Sequence, residues 1–370
     1  MSWRAGLIVA HRWLGLTTGL VVAFVALTGA AYAFEAQLRR ALGERIAPAS
    51  VDARVGPSTL IARAQAVHPG STFLWLMWSA RLDEPVWVKV RLPSGRDTSV
   101  MLDPYSGAFL PEATRWRGHC DTLLHLHRTL GLGEPGKVVV GTAALVLVVL
   151  LVTGVAIALP RTLRRWWSHL AIPRSARGAA AAYGWHRALG WWVAPIATVS
   201  ALTGLVWAFD WTRGVIDAVT RSAPLPPPPS VAEHAGTPLD LDVVLARARV
   251  LAGDAAHLRI YARRSDAAAW RVEWMPPEAR FISQRSRSYI HPGTGEILQH
   301  LPYAATPRAE RVSRLAYPIH TGLILGWPTQ LLMFVGALGL AAVTGTGVWL
   351  FAARLRRSNA SRQPAPAVAN

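Results

Sequence analysis

The chain of 370 residues contains one cysteine, Cys120, so no disulfide can close within it and no thiolate cluster can gather a metal. Packing alone must hold any part that lies in an oxidising compartment. Charge is missing from four long stretches: 14–34, 138–159, 189–209 and 331–351 contain no Asp, Glu, Lys or Arg. Each approaches the ~20 apolar residues that a helix needs to cross a hydrocarbon core, and the cost of unpaired backbone groups in lipid leaves the helix as the form such a run adopts. An ordinary soluble globular protein is thereby excluded.

Acidic residues are also unevenly absent. All 21 fall within 35–134 and 210–310. The remaining segments carry only basic charge: Arg4 and Arg12; Arg161, Arg164, Arg165, Arg174 and Arg177; Arg354, Arg356, Arg357 and Arg362. The net charge of +18 therefore points to a lipid bilayer and not to nucleic acid. By the positive-inside rule the acid-free segments and both termini are expected in the cytoplasm, with the two long intervening segments outside. Ala31-Tyr32-Ala33 is similar to a signal-peptidase site, but the apolar run before it recurs at 189–209, which favours a retained helix.

The chain repeats itself. His11-Arg12-Trp13-Leu14-Gly15 matches His186-Arg187-Ala188-Leu189-Gly190, and Leu27-Thr28-Gly29 matches Leu202-Thr203-Gly204. Downstream, the segment from His127 to Pro135 aligns without a gap to that from His320 to Pro328, and each is followed by a span carrying Val-Thr-Gly, at Val152-Thr153-Gly154 and Val343-Thr344-Gly345. Between them Asp103-Pro104-Tyr105-Ser106-Gly107 corresponds to His291-Pro292-Gly293-Thr294-Gly295, turns expected to close hairpins. Strand formers precede both turns, at 86–90 with 100–102 and at 270–275 with 287–290, and helices are expected at 57–67 and 239–252.

The expected architecture is a membrane α-helical protein, four transmembrane helices in two tandem repeats with two small α+β extracytoplasmic modules. Its parts are helix 1 (1–36), a first outer module (37–120), an outer ligand segment with helix 2 (121–160), a basic cytoplasmic loop (161–185), helix 3 (186–210), a second outer module with a proline-rich linker (211–312), an outer ligand segment with helix 4 (313–353) and a cytoplasmic tail (354–370), disordered from 358. The linker, 223–229, contains five prolines and should be extended.

Chemistry is expected at the duplicated histidines. His11 and His186 open helices 1 and 3, while His127 and His320 precede helices 2 and 4, so the two pairs lie roughly 25–30 Å apart along helices of this length. One metal cannot take all four. Two imidazoles related by a pseudo-twofold axis suit the opposite faces of a haem iron, whereas zinc ordinarily takes four ligands and no Cys or carboxylate accompanies these pairs. His125 is a possible auxiliary ligand without a repeat partner, since Pro318 stands at the equivalent place. His291, in a turn, is assigned a structural role.

Two other features are set aside or held open. Gly131 to Gly136 spells G-x-G-x-x-G but opens a membrane span without a preceding strand, so it reads as a helix-entry turn. Among the 17 Trp, those flanking the spans, Trp207 included, fit interfacial belts; Arg81, Arg91, Arg115 and Arg117 with exposed Trp of the first module could receive a bulky anion.

On the repeated His-Arg-Trp-Leu-Gly and Leu-Thr-Gly elements, the two Pro-containing turns, and His127-Arg128-Thr129-Leu130-Gly131-Leu132-Gly133-Glu134-Pro135-Gly136, the chain resembles the PepSY-associated transmembrane helix family. The resemblance implies PepSY-like outer modules, an inner-membrane location and two b-type haems on His11, His186, His127 and His320. It further implies a ferric-siderophore reductase, fed by a cytoplasmic or quinol electron donor because the chain lacks the flavin and nicotinamide domain that some relatives append. Thr321 replaces Arg128 in the second copy, a departure from the pattern. The competing expectations are a non-enzymatic membrane module binding a peptidase or envelope component, and a transporter, which the lack of paired charged or broken spans disfavours.

Overall fold

A computed structural model describes residues 2–42, 46–50, 53–79, 81–160, 162, 166–172, 175–231, 239–253, 255, 257–265 and 267–360. The first half contains α1 (Trp3–Tyr32), α2 (Glu35–Leu42), α3 (Pro57–Val67), β1 (Thr72–Ser79), β2 (Val86–Arg91), β3 (Asp97–Leu102), α4 (Pro111–Thr129) and α5 (Gly133–Ala158). The second contains α6 (Trp166–Leu170), α7 (Gly178–Ala208), α8 (Trp211–Thr220), α9 (Leu241–Ala252), β4 (His257–Tyr261), β5 (Trp270–Met275), β6 (Ser286–Ile290), β7 (Ile297–Leu301), α10 (Arg308–His320) and α11 (Trp327–Ala360). These elements divide between two compact units, one of Met1–Phe34, Leu123–Thr212 and Ile319–Asn370, the other of Glu35–Thr122 and Arg213–Pro318.

In the first unit, four helices among the described residues are long and apolar enough to cross a membrane, in the segments Trp3–Leu38, Gly133–Ala158, Gly178–Ala208 and Trp327–Arg356. The expected runs 14–34 and 331–351 lie inside them, and 138–159 and 189–209 overrun their helices by one residue each. The closest packing runs in a ring, α1 against α5, α5 against α7, α7 against α11 and α11 against α1. Small residues let these helices approach: a Cβ at Gly336 would collide with Ile196 of α7, and one at Gly339 would meet Val193 at 2.6 Å. Pro195 sits within α7, as a helix surrounded by neighbours in lipid tolerates. The Gly131–Gly136 segment opens in a turn, with positive φ at Gly131 and Gly133 and at Leu130 just before it, and α5 starts within it at Gly133. Helix α11 continues through Ala360, so the expected disordered tail does not begin at 358; residues 361–370 lie outside the described residues, as do Arg161, Arg164, Arg165 and Arg174 of the basic loop.

The second unit is one seven-stranded antiparallel sheet, ordered β3-β2-β1-β4-β5-β6-β7. The two segments read as separate modules thus share a sheet: β1 pairs with β4, with Leu76 opposite Ile260 and Trp78 opposite Leu258. Each half alone would leave an edge strand unpaired, uncharged β1 in the first and β4 in the second, and joining removes both edges. Period-two alternation buries Leu76, Val86, Val88, Val90, Val100, Ile260, Val272 and Ile290 on one face, where α3 and α9 cover them in one continuous core. Each such side chain contributes about 1.5–3 kcal/mol by its burial.

Both turns form, but only the second joins two strands, β6 and β7; the first leads from β3 to a single bridge, Leu102 with Phe109, and on to α4. Asp103 Oδ1 accepts from the backbone N–H of Tyr105 and Ser106, both at 2.8 Å, and His291 Nδ1 accepts from Gly293 and Thr294, both at 3.1 Å. His291 therefore does what an Asp does at the aligned position, a structural role. In each half the carbonyl of the turn proline anchors the segment before the helix, Pro104 accepting from Val55 at 2.8 Å and Pro292 from Leu239 at 2.7 Å.

Candidate functional site

The duplicated histidines meet in two pairs, both within the helical unit. The ring centres of His11 and His186 are 6.3 Å apart with planes at 78°. Those of His127 and His320 are 6.2 Å apart at 68°. His11 and His186 come from α1 and α7, which stand diagonally across the ring of helices, and His127 and His320 end α4 and α10, which lead into α5 and α11.

Each imidazole is seated on a Thr-Gly step of a neighbouring helix. His11 Nδ1 lies 2.8 Å from Thr153 Oγ1, and a Cβ on Gly154 would come within 3.2 Å of its Cε1. Reciprocally, His127 Nδ1 lies 2.9 Å from the Val25 carbonyl and 3.3 Å from Thr28 Oγ1, with Gly29 beneath its Cε1. The second half repeats the exchange. His320 Nδ1 lies 2.9 Å from Thr203 Oγ1 beside Gly204, and His186 Nδ1 lies 2.9 Å from the Val343 carbonyl and 3.3 Å from Thr346 Oγ1 beside Gly347.

These contacts determine the tautomer. Thr153 Oγ1 donates to the Val149 carbonyl at 2.8 Å and Thr203 Oγ1 to the Val199 carbonyl at 2.6 Å, so both hydroxyls are free to accept from the histidine. The carbonyls of Val25 and Val343 can only accept. All four Nδ1 atoms are consequently N–H donors, and all four Nε2 atoms keep a lone pair, the arrangement in which an imidazole ligates a metal. Desolvation pushes His320 down to about 4, with His127 acting in the same direction, and it lowers His127 too; this pair is neutral near pH 7.

Among the described residues no three His, Cys, Asp or Glu gather into a metal site. Two imidazoles per site are what a macrocycle supplying four equatorial nitrogens leaves to the protein. With a metal–nitrogen distance of about 2.0 Å on each side and each ring centre roughly 1.2 Å behind its nitrogen, two axial imidazoles have centres about 6.4 Å apart. The observed 6.3 and 6.2 Å fit that group.

His125 is exposed and turns back to Thr129 of its own helix, 3.2 Å from the hydroxyl, so it is not brought to His320. The matched Val-Thr-Gly of helix 4 is not itself the seat: Thr346 and Gly347 approach His186, while Thr344 Oγ1 donates to Leu340 and a Cβ on Gly345 would meet nothing within 4 Å. Trp207 was overlooked as a site residue: its ring stands edge-on to His320, 5.4 Å between centres at 90°. Its place one residue before the shared Ala-Phe pair, where the first copy has Tyr32, was the available signal. Arg81, Arg91, Arg115 and Arg117, the suggested anion group, are each paired with a carboxylate, Asp83, Asp97, Glu112 and Asp121 respectively.

The sequence profile of the PepSY-associated TM region matches residues 9–354, nearly the whole chain. No curated protein matches it.

Proposed function

Because the chain belongs to the PepSY-associated TM region family, we propose that it is a di-haem transmembrane electron carrier, built from two tandem copies, that reduces ferric siderophore iron in the periplasm. The observation that most supports this reading is the two pairs of imidazoles, 6.3 and 6.2 Å between ring centres, with every Nδ1 hydrogen-bonded to a neighbouring helix and every Nε2 left as the unprotonated nitrogen. His11 and His186 would hold one b-type haem and His127 and His320 the other; when bound, haem supplies one-electron redox chemistry.

The protein's own part is to hold and insulate. Thr153, Thr203 and the carbonyls of Val25 and Val343 orient the rings and raise their basicity, while the glycines beside them admit the imidazoles close to the helix backbones. The apolar spans exclude water between the two pairs. The acid-free basic segments support an inner-membrane topology with both termini in the cytoplasm, which puts His127 and His320 on the outer side. A quinol or cytoplasmic reductant donates on the inner side, and ferric iron accepts one electron outside. Oxygen-rich chelators grip ferric iron far more tightly than ferrous, so that single electron releases the metal without destroying the chelator.

An absorbance spectrum of the purified protein, oxidised and dithionite-reduced, tests the cofactor. Sharp low-spin bands are expected, and a colourless preparation made with ample haem would overturn the reading. The reduced protein, freed of excess reductant and mixed anaerobically with a ferric siderophore and a ferrous chelator, should reoxidise as the ferrous complex appears. Bands that persist with every siderophore, yet vanish with another acceptor, would remove the siderophore from the proposal.

A further inference from the structure

The face of the seven-stranded sheet opposite α3 and α9 carries two ionic networks at aligned positions. In the first half, Asp121 of α4 receives Lys89 Nζ at 2.7 Å, Ser99 Oγ at 2.7 Å and Arg117 Nη2 at 2.6 Å, and Arg117 also meets Glu35 at 3.1 Å. In these contacts between described residues, two cations face two carboxylates.

In the second half the same positions carry inverted charges. The gapless alignment of His127 with His320 takes Arg117 to Glu310 and Asp121 to Arg314, and the strand registers, Lys89 opposite Ser99 and Glu273 opposite Arg287, take Lys89 to Glu273. Arg314 Nε meets Glu310 at 2.9 Å, the earlier helix pair with its signs exchanged. Glu273 is buried and receives Arg287 at 3.0 Å and the Tyr261 hydroxyl at 3.1 Å, with Arg285 at 3.7 Å and Arg271 at 4.0 Å. Arg259, directly opposite Glu273 on β4, donates to the Tyr261 hydroxyl and meets the Met77 sulfur, each at 3.2 Å.

Among the described residues, five guanidiniums, Arg259, Arg271, Arg285, Arg287 and Arg314, thus share two carboxylates, Glu273 and Glu310, leaving three positive charges over. The first half makes the same sheet and helix contact with a balanced set, so the fold does not require the surplus. It is costly as well: burial and then the charge of Arg259 push Arg285 below the ordinary guanidinium range, and the Nε atoms of Arg259 and Arg271 are buried with no hydrogen-bond acceptor. Like charges gathered with donors left over are stable when an anion completes them.

The geometry is organised for one. Arg259 lies over the Trp75 ring at 4.5 Å and Arg271 over Tyr261 at 3.6 Å, which fixes the planes of both guanidiniums. The Arg271 and Arg285 side chains are 29% and 27% exposed, so solvent reaches them. We infer that Arg259, Arg271 and Arg285, on the aromatic floor of Trp75 and Tyr261, form a binding site for a small soluble multivalent oxyanion of the polycarboxylate or polyphosphate class. Fixed guanidinium forks match carboxylate and phosphate oxygens in pairs, and a surplus of three charges selects multivalent over monovalent anions. The site does not depend on the haem reading, and protein without haem should bind equally.

The test is calorimetric titration of the full chain, in micelles of an uncharged detergent, with citrate, inorganic pyrophosphate and acetate at constant ionic strength. Saturable one-to-one binding of citrate or pyrophosphate is expected, with none of acetate, and a higher thermal midpoint on binding. Arg271→Gln and Arg285→Gln should each weaken binding at least tenfold, whereas Lys89→Gln, in the balanced network, should change it less than twofold. Should Arg285→Gln not fold, the partly exposed Arg271→Gln decides the matter alone. Absence of saturable binding at millimolar anion, wild-type affinity in Arg271→Gln, or a response only when phosphatidylglycerol is added to the micelles would each overturn the inference, the last by assigning the arginines to a lipid headgroup.

Discussion

Gly29 stands under the His127 ring so closely that a Cβ there would lie 2.9 Å from Cε1. Gly29→Ala must therefore push the imidazole off its seat on α1, at about 1–3 kcal/mol of overpacking. Haem content in this variant should fall from about two toward one per chain, with only the outer low-spin signal lost. Gly345→Ala, where a Cβ meets nothing within 4 Å, should leave both signals intact. Equal behaviour of the two variants would remove the seating role.

Thr153 and Thr203 accept from the Nδ1–H of His11 and His320, so Thr153→Val and Thr203→Val leave those N–H groups without their hydroxyl partners. A loss of roughly 10–100-fold in haem affinity is the usual cost of such a partner. Thr344→Val, on a hydroxyl that serves only its own helix, is the control and should bind haem as the wild type does. Competition with apomyoglobin measures all three.

Burial would raise the Glu273 carboxyl, but Arg285, Arg287, Arg271 and Arg314 outweigh it and hold the group below its ordinary 4.5. A carboxylate lowered by folding stabilises the fold above its unfolded value, and that stability disappears as pH falls through the folded value. The melting midpoint of the sheet unit should therefore hold above pH 4.5 and decline below it. Glu273→Gln, which leaves buried arginines unpaired, should cost about 3–5 kcal/mol near neutrality and flatten that acid limb. A melting curve with the same acid limb in wild type and Glu273→Gln would show that another group sets it.

A reporter fused after Asn370 should be active only as a cytoplasmic marker, because the charges nearest the spans on that side, Arg354, Arg356 and Arg357, are all basic. Periplasmic activity of the fusion would invert the assigned topology and exchange the inner and outer histidine pairs.

The parts most legible in the sequence are those that lipid and repetition enforce. The spans were visible because a bilayer forbids charge over some twenty residues, and the histidines because a lone imidazole at a helix end says little while four at duplicated positions say much. Helix α3 matched at both ends, its start marked by Pro57 at the first turn. Strands β1 and β4 were not named, and their union into one sheet was not foreseen, since edge-to-edge pairing leaves no mark on hydrophobic alternation. The Thr-Gly steps were noticed as repeats, but their purpose needed coordinates; the seat at Thr346 is where the gapless register of His127 with His320 takes Thr153, two residues beyond the Val-Thr-Gly match. The arginine surplus was sought in the first module, where each guanidinium has a carboxylate. It lies in the second, where Glu273 replaces Lys89.

The join between β1 and β4 also sets a clock on biogenesis. β1, Thr-Phe-Leu-Trp-Leu-Met-Trp-Ser, has no charged residue, and one of its edges is closed only by β4. Between Ser79 and His257 the ribosome must make two further membrane-crossing helices, α5 and α7, which at about 5–20 residues per second takes roughly 10–40 s. Throughout that interval a nascent chain presents an apolar strand with free backbone groups, the form in which two growing copies could exchange strands. The second half of the gene product thus acts as the chaperone of the first.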